Sequence, residues 1–79
     1  MAGRKPTVSD SGILSIFRES SDPALSTGEI ADDLGMSQQG AYSRLSDLVD
    51  EGLIETKKFG QGRGWWLTED GVERLESFD

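Results

Sequence analysis

Apolar residues in the first part of the chain fall into three groups, each repeating at the three-to-four-residue spacing of one helix face. This spacing predicts three short helices. Residues suited to an N-cap precede each group: Ser9 or Asp10 for the first, Ser26 for the second and Ser37 for the third. The three apolar faces are Ile13, Leu14, Ile16 and Phe17; Ile30, Ala31 and Leu34; and Ala41, Leu45, Leu48 and Val49.

The ends of these helices are marked by residues that leave the helical conformation. Pro23 biases Asp22 away from it, so we expect the first helix to end near Ser20. Gly35 and Gly52 stand where a left-handed residue would close the second and third helices.

The second helix also carries a reciprocal cap at its start. In Ser26-Thr27-Gly28-Glu29 the Ser26 hydroxyl is expected to accept from the Glu29 amide while the Glu29 side chain reaches back. Only Met36 then separates Gly35 from the Ser37 cap. The second and third helices are therefore joined by the tight turn of a helix-turn-helix, whose second helix can enter a DNA major groove.

Beyond Gly52 the apolar period shortens from about 3.6 residues toward 2, which is typical of strands. Leu53 to Phe59 and Gly64 to Thr68 are predicted as two strands, joined by the turn Gly60-Gln61-Gly62-Arg63. Thr68 then caps a last helix. One face of that helix carries Val72, Leu75 and Phe78. The predicted order of elements is α, α, α, β, β, α.

Composition excludes several classes of protein. The chain has 79 residues, enough for one small domain, and contains no His and no Cys. Zinc fingers, disulfides and thiol chemistry are excluded, and the usual general base of an enzyme is missing. The chain has no apolar run of the roughly 18 residues that a membrane span needs, and its first residues, Met-Ala-Gly-Arg-Lys-Pro, lack the apolar stretch of a signal peptide. We expect a cytoplasmic protein that is no enzyme and needs no metal or cofactor.

Positive charge is concentrated in the predicted hairpin. The chain has 15 acids and 8 bases, a net charge of -7, and should be soluble. Within Thr56 to Thr68, however, it has Lys57, Lys58 and Arg63 and no acid. Such a local excess of bases is expected where a protein contacts phosphates.

Two groups of residues resemble the winged helix-turn-helix regulators. The first comprises Ile30-Ala31, Leu34-Gly35-Met36-Ser37, Ala41, Arg44-Leu45, Leu48 and Gly52-Leu53-Ile54. The second, Gly64-Trp65-Trp66-Leu67-Thr68-Glu69-Asp70-Gly71, is similar to the segment that follows the wing in MarR-like regulators. The resemblance covers Ser9 to Asp79 and implies an α+β fold: a three-helix core, a two-stranded β-hairpin wing and a C-terminal helix. The acidic composition also resembles small regulators of halophilic archaea, including phage-repressor-like ones.

The chain is expected to divide into a flexible basic arm, residues 1–8, and a winged helix-turn-helix domain, residues 9–79. The arm carries Arg4 and Lys5 and no acid. These two side chains either enter a minor groove, as the arms of homeodomains do, or form a solubilising tail.

The third helix supplies the candidate base-reading residues. When Leu45 is set inward at about 100° per residue, Gln39 and Ser43 point away from the core. Gln38 lies in the first turn and Tyr42 at the edge of the inner face. Gln pairs bidentately with adenine, and Ser bonds to bases or phosphates. The alternatives are capping or solvated positions for the glutamines and partial core packing for Tyr42.

Other candidate contacts also have alternatives. Arg44 either meets a phosphate or pairs with Asp47 within the helix. Trp65 and Trp66 must point to opposite faces of their strand, so one is expected in the core. The other either packs against the wing or a partner, or stacks on bases. The full set of expected DNA-binding residues is Ser37, Gln38, Gln39, Tyr42, Ser43, Arg44, Lys57, Lys58, Gln61, Arg63, Arg4 and Lys5.

The resemblance implies a sequence-specific regulator of transcription that binds double-stranded DNA and acts as a repressor. Its third helix would read the major groove while the wing meets the backbone or minor groove. We expect a homodimer, with Leu75, Phe78, the outward Trp and the first helix as the candidate surface, and no small-molecule ligand. The alternative is a winged-helix module that binds protein, which the overall acidity favours and the basic hairpin disfavours.

Overall fold

The computed structural model describes residues 9–77. The predicted arm, residues 1–8, and Phe78 lie outside the described residues. Within them the chain forms four helices and three strands. In chain order these are α1 (Asp10–Glu19), β1 (Leu25–Ser26), α2 (Thr27–Leu34), α3 (Gln38–Asp50), β2 (Ile54–Phe59), β3 (Gly62–Leu67) and α4 (Glu69–Ser77).

The predicted caps begin the first three helices. The Ser9 hydroxyl accepts from the Gly12 amide at 3.2 Å, and the Ser37 hydroxyl accepts from the Gly40 amide at 3.0 Å. At α2 both halves of the capping box form between Ser26 and Glu29, at 3.1 and 2.9 Å. These bonds satisfy amides that the first turn of a helix leaves without partners.

The turn between α2 and α3 is as tight as expected. Gly35 adopts φ 69°, a left-handed conformation in which a side chain would be strained, and closes α2. α3 begins three residues later at Gln38. From the first turn of α3 the Gln38 side chain reaches Gly28 in the first turn of α2.

The sheet has three strands, in the order β1-β3-β2, and both pairings are antiparallel. The sequence predicts β2 and β3 but misses β1, because two residues are too few to show an alternation. Leu25 and Ser26 pair with Trp65 and Gly64 of β3. β3 is consequently the central strand.

The hairpin turn is shorter than predicted. Phe59 pairs with Gly62 and Lys58 with Arg63, so β3 begins at Gly62 and Gly60-Gln61 alone forms the turn. Gly60 adopts φ 57°, as two-residue hairpin turns require. The expectation that Arg63 lies at the tip of the hairpin is wrong, since this residue belongs to a strand.

Side chains from α1 to α4 and from all three strands form the core between the helices and one face of the sheet. Trp65 is the largest fully buried side chain, and the expectation that one of the two adjacent tryptophans is core is confirmed. The core comprises Ile13, Leu14, Phe17, Leu25, Ile30, Leu45, Leu48, Leu53, Ile54, Trp65 and Leu75.

Helix α4 packs through its backbone at one point. Thr68 caps the helix as expected, accepting from the Gly71 amide at 3.0 Å. A Cβ atom at Gly71 would overlap the carbonyl oxygen of Leu53. This close approach turns Leu75 into the core but leaves Val72 42% exposed, so the face predicted to carry both residues is only half buried.

We expect Gly71→Ala to destabilise the fold by about 2 kcal/mol or more, because the added methyl group meets a backbone oxygen that cannot move aside. Urea unfolding of both proteins would measure the loss. Gly28→Ala in α2 is the matched control, since a Cβ there makes only ordinary contact with the flexible Gln38 side chain. An equal loss in both variants would contradict the proposed contact.

Candidate nucleic-acid interface

The buried Trp65 ring connects the sheet to both helices of the helix-turn-helix. Its indole N–H donates a 2.7 Å hydrogen bond to the Thr27 hydroxyl at the start of α2. The ring of Tyr42, on α3, meets Trp65 edge-to-face, with centroids 5.5 Å apart and an interplanar angle of 80°. The starts of α2 and α3 and the base of the hairpin are thereby held together.

The outer face of α3 carries the predicted reading residues. Gln38, Gln39 and Ser43 are exposed. Tyr42 is 45% exposed although one edge of its ring packs on Trp65, so it combines partial packing with an accessible surface. The Gln38 amide lies beside α2, where its Nε2 atom would be 3.4 Å from a Cβ at Gly28.

A polar cleft of about 630 Å³ opens between the first turns of α2 and α3 and the hairpin. It brings together six predicted site residues: Gln38, Gln39, Tyr42, Lys58, Gln61 and Arg63. The other lining residues are Ser26, Thr27, Gly28 and Gly62. The lining thus combines two cations with amide and hydroxyl groups, and it includes no carboxylate.

The cations of the hairpin lie on two faces of the sheet. Lys58 and Arg63 form a cross-strand pair on the face that turns toward the helices, and both line the cleft. Lys57 points to the opposite face, because side chains alternate along a strand. There its Nζ atom lies 5.4 Å from the centre of the Phe59 ring. Trp66 is partly exposed on this same outer face.

Four described site residues lie outside the cleft: Ser37, Ser43, Arg44 and Lys57. The Ser37 hydroxyl is engaged as the cap of α3. Arg44 donates to the Asp10 carboxylate of α1 at 3.1 Å, so it has an ion-pair partner, although not the Asp47 that the sequence suggests. Spacing within one helix points to Asp47, whereas Asp10 is 34 residues away in the sequence and the fold alone brings it to Arg44. Arg4 and Lys5 lie outside the described residues.

Sequence reasoning missed the contribution of α2 to the site. Thr27 and Gly28 line the cleft, and Thr27 also anchors Trp65. The two residues of this hydrogen bond are 38 positions apart, and no periodic pattern links them. The capping box at Ser26 was the available signal, since it fixes where the first turn of α2 begins.

Within residues 9–77 no group of three or more His, Cys, Asp or Glu side chains is placed to hold a metal ion. None of the helices in that range is long and apolar enough to cross a membrane.

Two helices joined by a tight turn, followed by a β-hairpin beside the second of them, define the winged helix-turn-helix class. The family model of winged helix-turn-helix DNA-binding domains matches residues 8–55, more than half of the 79. The chain belongs to this family. No curated protein sequence matches it.

Solved structures of MarR-family and related regulators share the fold. The S. aureus MepR–DNA complex matches with a TM-score of 0.79 at 20% identity, over 90% of this chain and 61% of that one. ZitR, a zinc-responsive MarR family member from Lactococcus lactis, matches with a TM-score of 0.73 at 22% identity, over 95% of this chain and 52% of that one. The homodimeric DNA-binding domain of Mb0332 from Mycobacterium bovis matches with a TM-score of 0.67 at 24% identity, over 84% of this chain and 58% of that domain.

These likenesses establish the α+β winged-helix fold that the sequence predicts. The chain spans between 52% and 61% of the length of these three proteins. The resemblance to regulators of halophilic archaea depends on acidic composition and stays a prediction.

Loss of the Trp65–Thr27 hydrogen bond should lower stability. We expect Thr27→Val, which keeps the shape of the side chain, to cost about 1–3 kcal/mol because the buried indole N–H loses its acceptor. Thr27→Ser retains the hydroxyl and serves as the control. Thermal and urea unfolding would compare the three proteins. Equal stability of the Val and Ser variants would show that the bond contributes nothing.

Proposed function

We propose that the chain binds duplex DNA in a sequence-specific manner, with α3 in the major groove and the hairpin against the backbone or minor groove. The observation that carries the proposal is the cleft between α3 and the hairpin. Its lining offers two cations and several hydrogen-bonding side chains and no carboxylate, in a chain of net charge -7. In a protein this acidic, a surface that has bases and no acids is suited to binding a polyanion.

Base reading is assigned to the exposed side of α3. Gln39 and Ser43 project from successive turns of the helix, and Gln38 lies in the first turn beside them. Gln offers a donor and an acceptor that match the adenine edge, and the Ser hydroxyl bonds to bases or phosphates. Asp47 lies further along the same side and would repel phosphates, which favours entry of the N-terminal turns into the groove.

Phosphate contacts are assigned to Lys57, Lys58 and Arg63 of the hairpin, with Gln61 at its turn. Lys58 and Arg63 line the cleft, and Lys57 extends the positive charge to the outer face. Arg44 is half-buried and paired with Asp10. A phosphate contact by Arg44 therefore has to share or displace that carboxylate. Ser37 sits at the exposed start of α3, where the helix dipole favours a phosphate. Arg4 and Lys5 are proposed as further contacts of the arm.

We further propose that the protein regulates transcription without enzymatic activity, as a repressor that binds as a homodimer. One subunit covers few base pairs, and two half-sites about 34–36 Å apart would raise affinity. Among proteins of similar fold, MepR has been solved bound to DNA, and the Mb0332 domain is homodimeric. These neighbours support the proposal through the fold alone.

The salt dependence of binding tests the electrostatic part. With three or four phosphates neutralised per subunit, log affinity should fall with log salt at a slope of about -3 to -4, doubled for a dimer. Lys58→Gln should reduce the slope by about 1 per subunit. Fluorescence anisotropy with a duplex selected from a fragment pool would measure it.

Arg74→Gln removes an equal charge from α4, outside the cleft, and should leave the slope unchanged. Equal effects of the two variants would contradict the assignment to the hairpin. If the folded protein binds no duplex at low salt, the alternative is favoured, a winged-helix module that binds protein.

The sequence-specific part has its own test. Gln39→Ala with Ser43→Ala should weaken binding to the selected duplex by about 10-fold or more and leave a scrambled duplex almost unaffected, because the lost bonds read bases. Both residues are exposed, so the fold should be retained, which circular dichroism would verify. An equal loss on both duplexes would contradict base reading by α3.

A further inference from the structure

The guanidinium of Arg63 is held by neutral partners. Its central carbon lies 5.8 Å from the centre of the Tyr42 ring and 5.9 Å from that of Trp65. Its Nη1 atom donates to the Thr56 hydroxyl at 3.3 Å, and that hydroxyl donates to the Gly64 carbonyl at 2.8 Å. Arg63 is thus drawn back along the hairpin toward α3 rather than extended past the turn.

The charge of Arg63 has no counter-ion in the part of the chain that the structure describes. No carboxylate lines the cleft, and no ion pair forms at this guanidinium within residues 9–77. Arg44 shows the contrast, since it is also half-buried and has Asp10 at 3.1 Å. In a chain with 15 acids, a partly buried cation that has another cation, Lys58, as its cross-strand neighbour and no carboxylate beside it is suited to an anion from outside.

The free donors of Arg63 define the chemistry of that anion. A guanidinium has five N–H groups in a planar fork, and the bond to Thr56 uses one of them. The fork matches the paired oxygens of a phosphate. The cation–π contacts with the Tyr42 and Trp65 rings hold the guanidinium in place and so lower the ordering cost of binding.

We propose that Tyr42 is a positioning residue, whose ring holds the Arg63 guanidinium at the wall of the cleft to bind one backbone phosphate of the DNA. This inference depends on the proposed DNA binding. It places the Arg63 contact beside the residues of α3 that read bases, and it gives Tyr42 a role that needs no hydrogen bond from its hydroxyl. The Tyr42 ring is itself fixed, because its edge packs on the buried Trp65.

A double-mutant cycle in duplex affinity tests the coupling. We expect Arg63→Gln to weaken binding about 10- to 30-fold at low salt. Tyr42→Leu should weaken it about 2- to 5-fold, the size of a cation–π contact. In the Arg63→Gln background Tyr42→Leu should then have almost no effect. Tyr42→Phe keeps the ring and should rescue the affinity lost in Tyr42→Leu.

Lys58→Gln supplies the matched control for the cycle. Lys58 is the cross-strand neighbour of Arg63 and lines the same cleft, but the cation–π contact of the Tyr42 ring is with Arg63 and not with Lys58. Its loss should add to that of Tyr42→Leu. Melting temperatures of all variants would verify that each protein is folded at the assay temperature.

Two results would overturn the inference while leaving DNA binding in place. Additive effects of Tyr42→Leu and Arg63→Gln would show that the two residues act independently. A loss in Tyr42→Phe equal to that in Tyr42→Leu would show that the hydroxyl contacts DNA directly. Failure of the folded wild-type protein to bind any duplex would overturn the proposed function and this inference together.

Discussion

The burial of Trp65 is the constraint on which the arrangement of this protein depends. The residue lies on the central strand of the sheet and is 1% exposed. A buried indole must still satisfy its N–H, and the Thr27 hydroxyl is the acceptor. This bond sets the first turn of α2 against the sheet, and the tight turn at Gly35 then sets α3. The distance between α3 and the hairpin is therefore determined inside the core.

The fold also determines where the positive charges of the hairpin lie relative to one another. The chain is strongly acidic, yet the three bases of the hairpin occupy adjacent positions on two paired strands. Strand pairing places Lys58 opposite Arg63, where the two positive charges repel each other. In a protein with so many acids, either base could instead have been placed beside a carboxylate. An anion placed between the two cations would remove this repulsion, as the proposed contact with phosphates requires.

The sequence predicts those features that depend on neighbours along the chain. Caps at Ser9, Ser26 and Ser37 and the left-handed Gly35 follow from local backbone chemistry, and the structure has each of them. Features set by distant partners were missed or misplaced. Strand β1 exists because β3 offers it a partner, and Arg44 pairs with Asp10, which is 34 residues away in the sequence. The inner face of α4 was misjudged because Gly71 brings backbone against backbone.

The strand order β1-β3-β2 leaves β2 at one border of the sheet, with unpaired backbone groups along its outer side. Such a border can recruit a strand from another molecule, and lysines there oppose this because joining would crowd or bury their charges. Lys57 and Lys58 stand side by side on β2. The opposite border, β1, has two residues and offers little to pair with. A hairpin with fewer bases would thus lose protection against self-association, whatever the effect on the proposed binding of DNA.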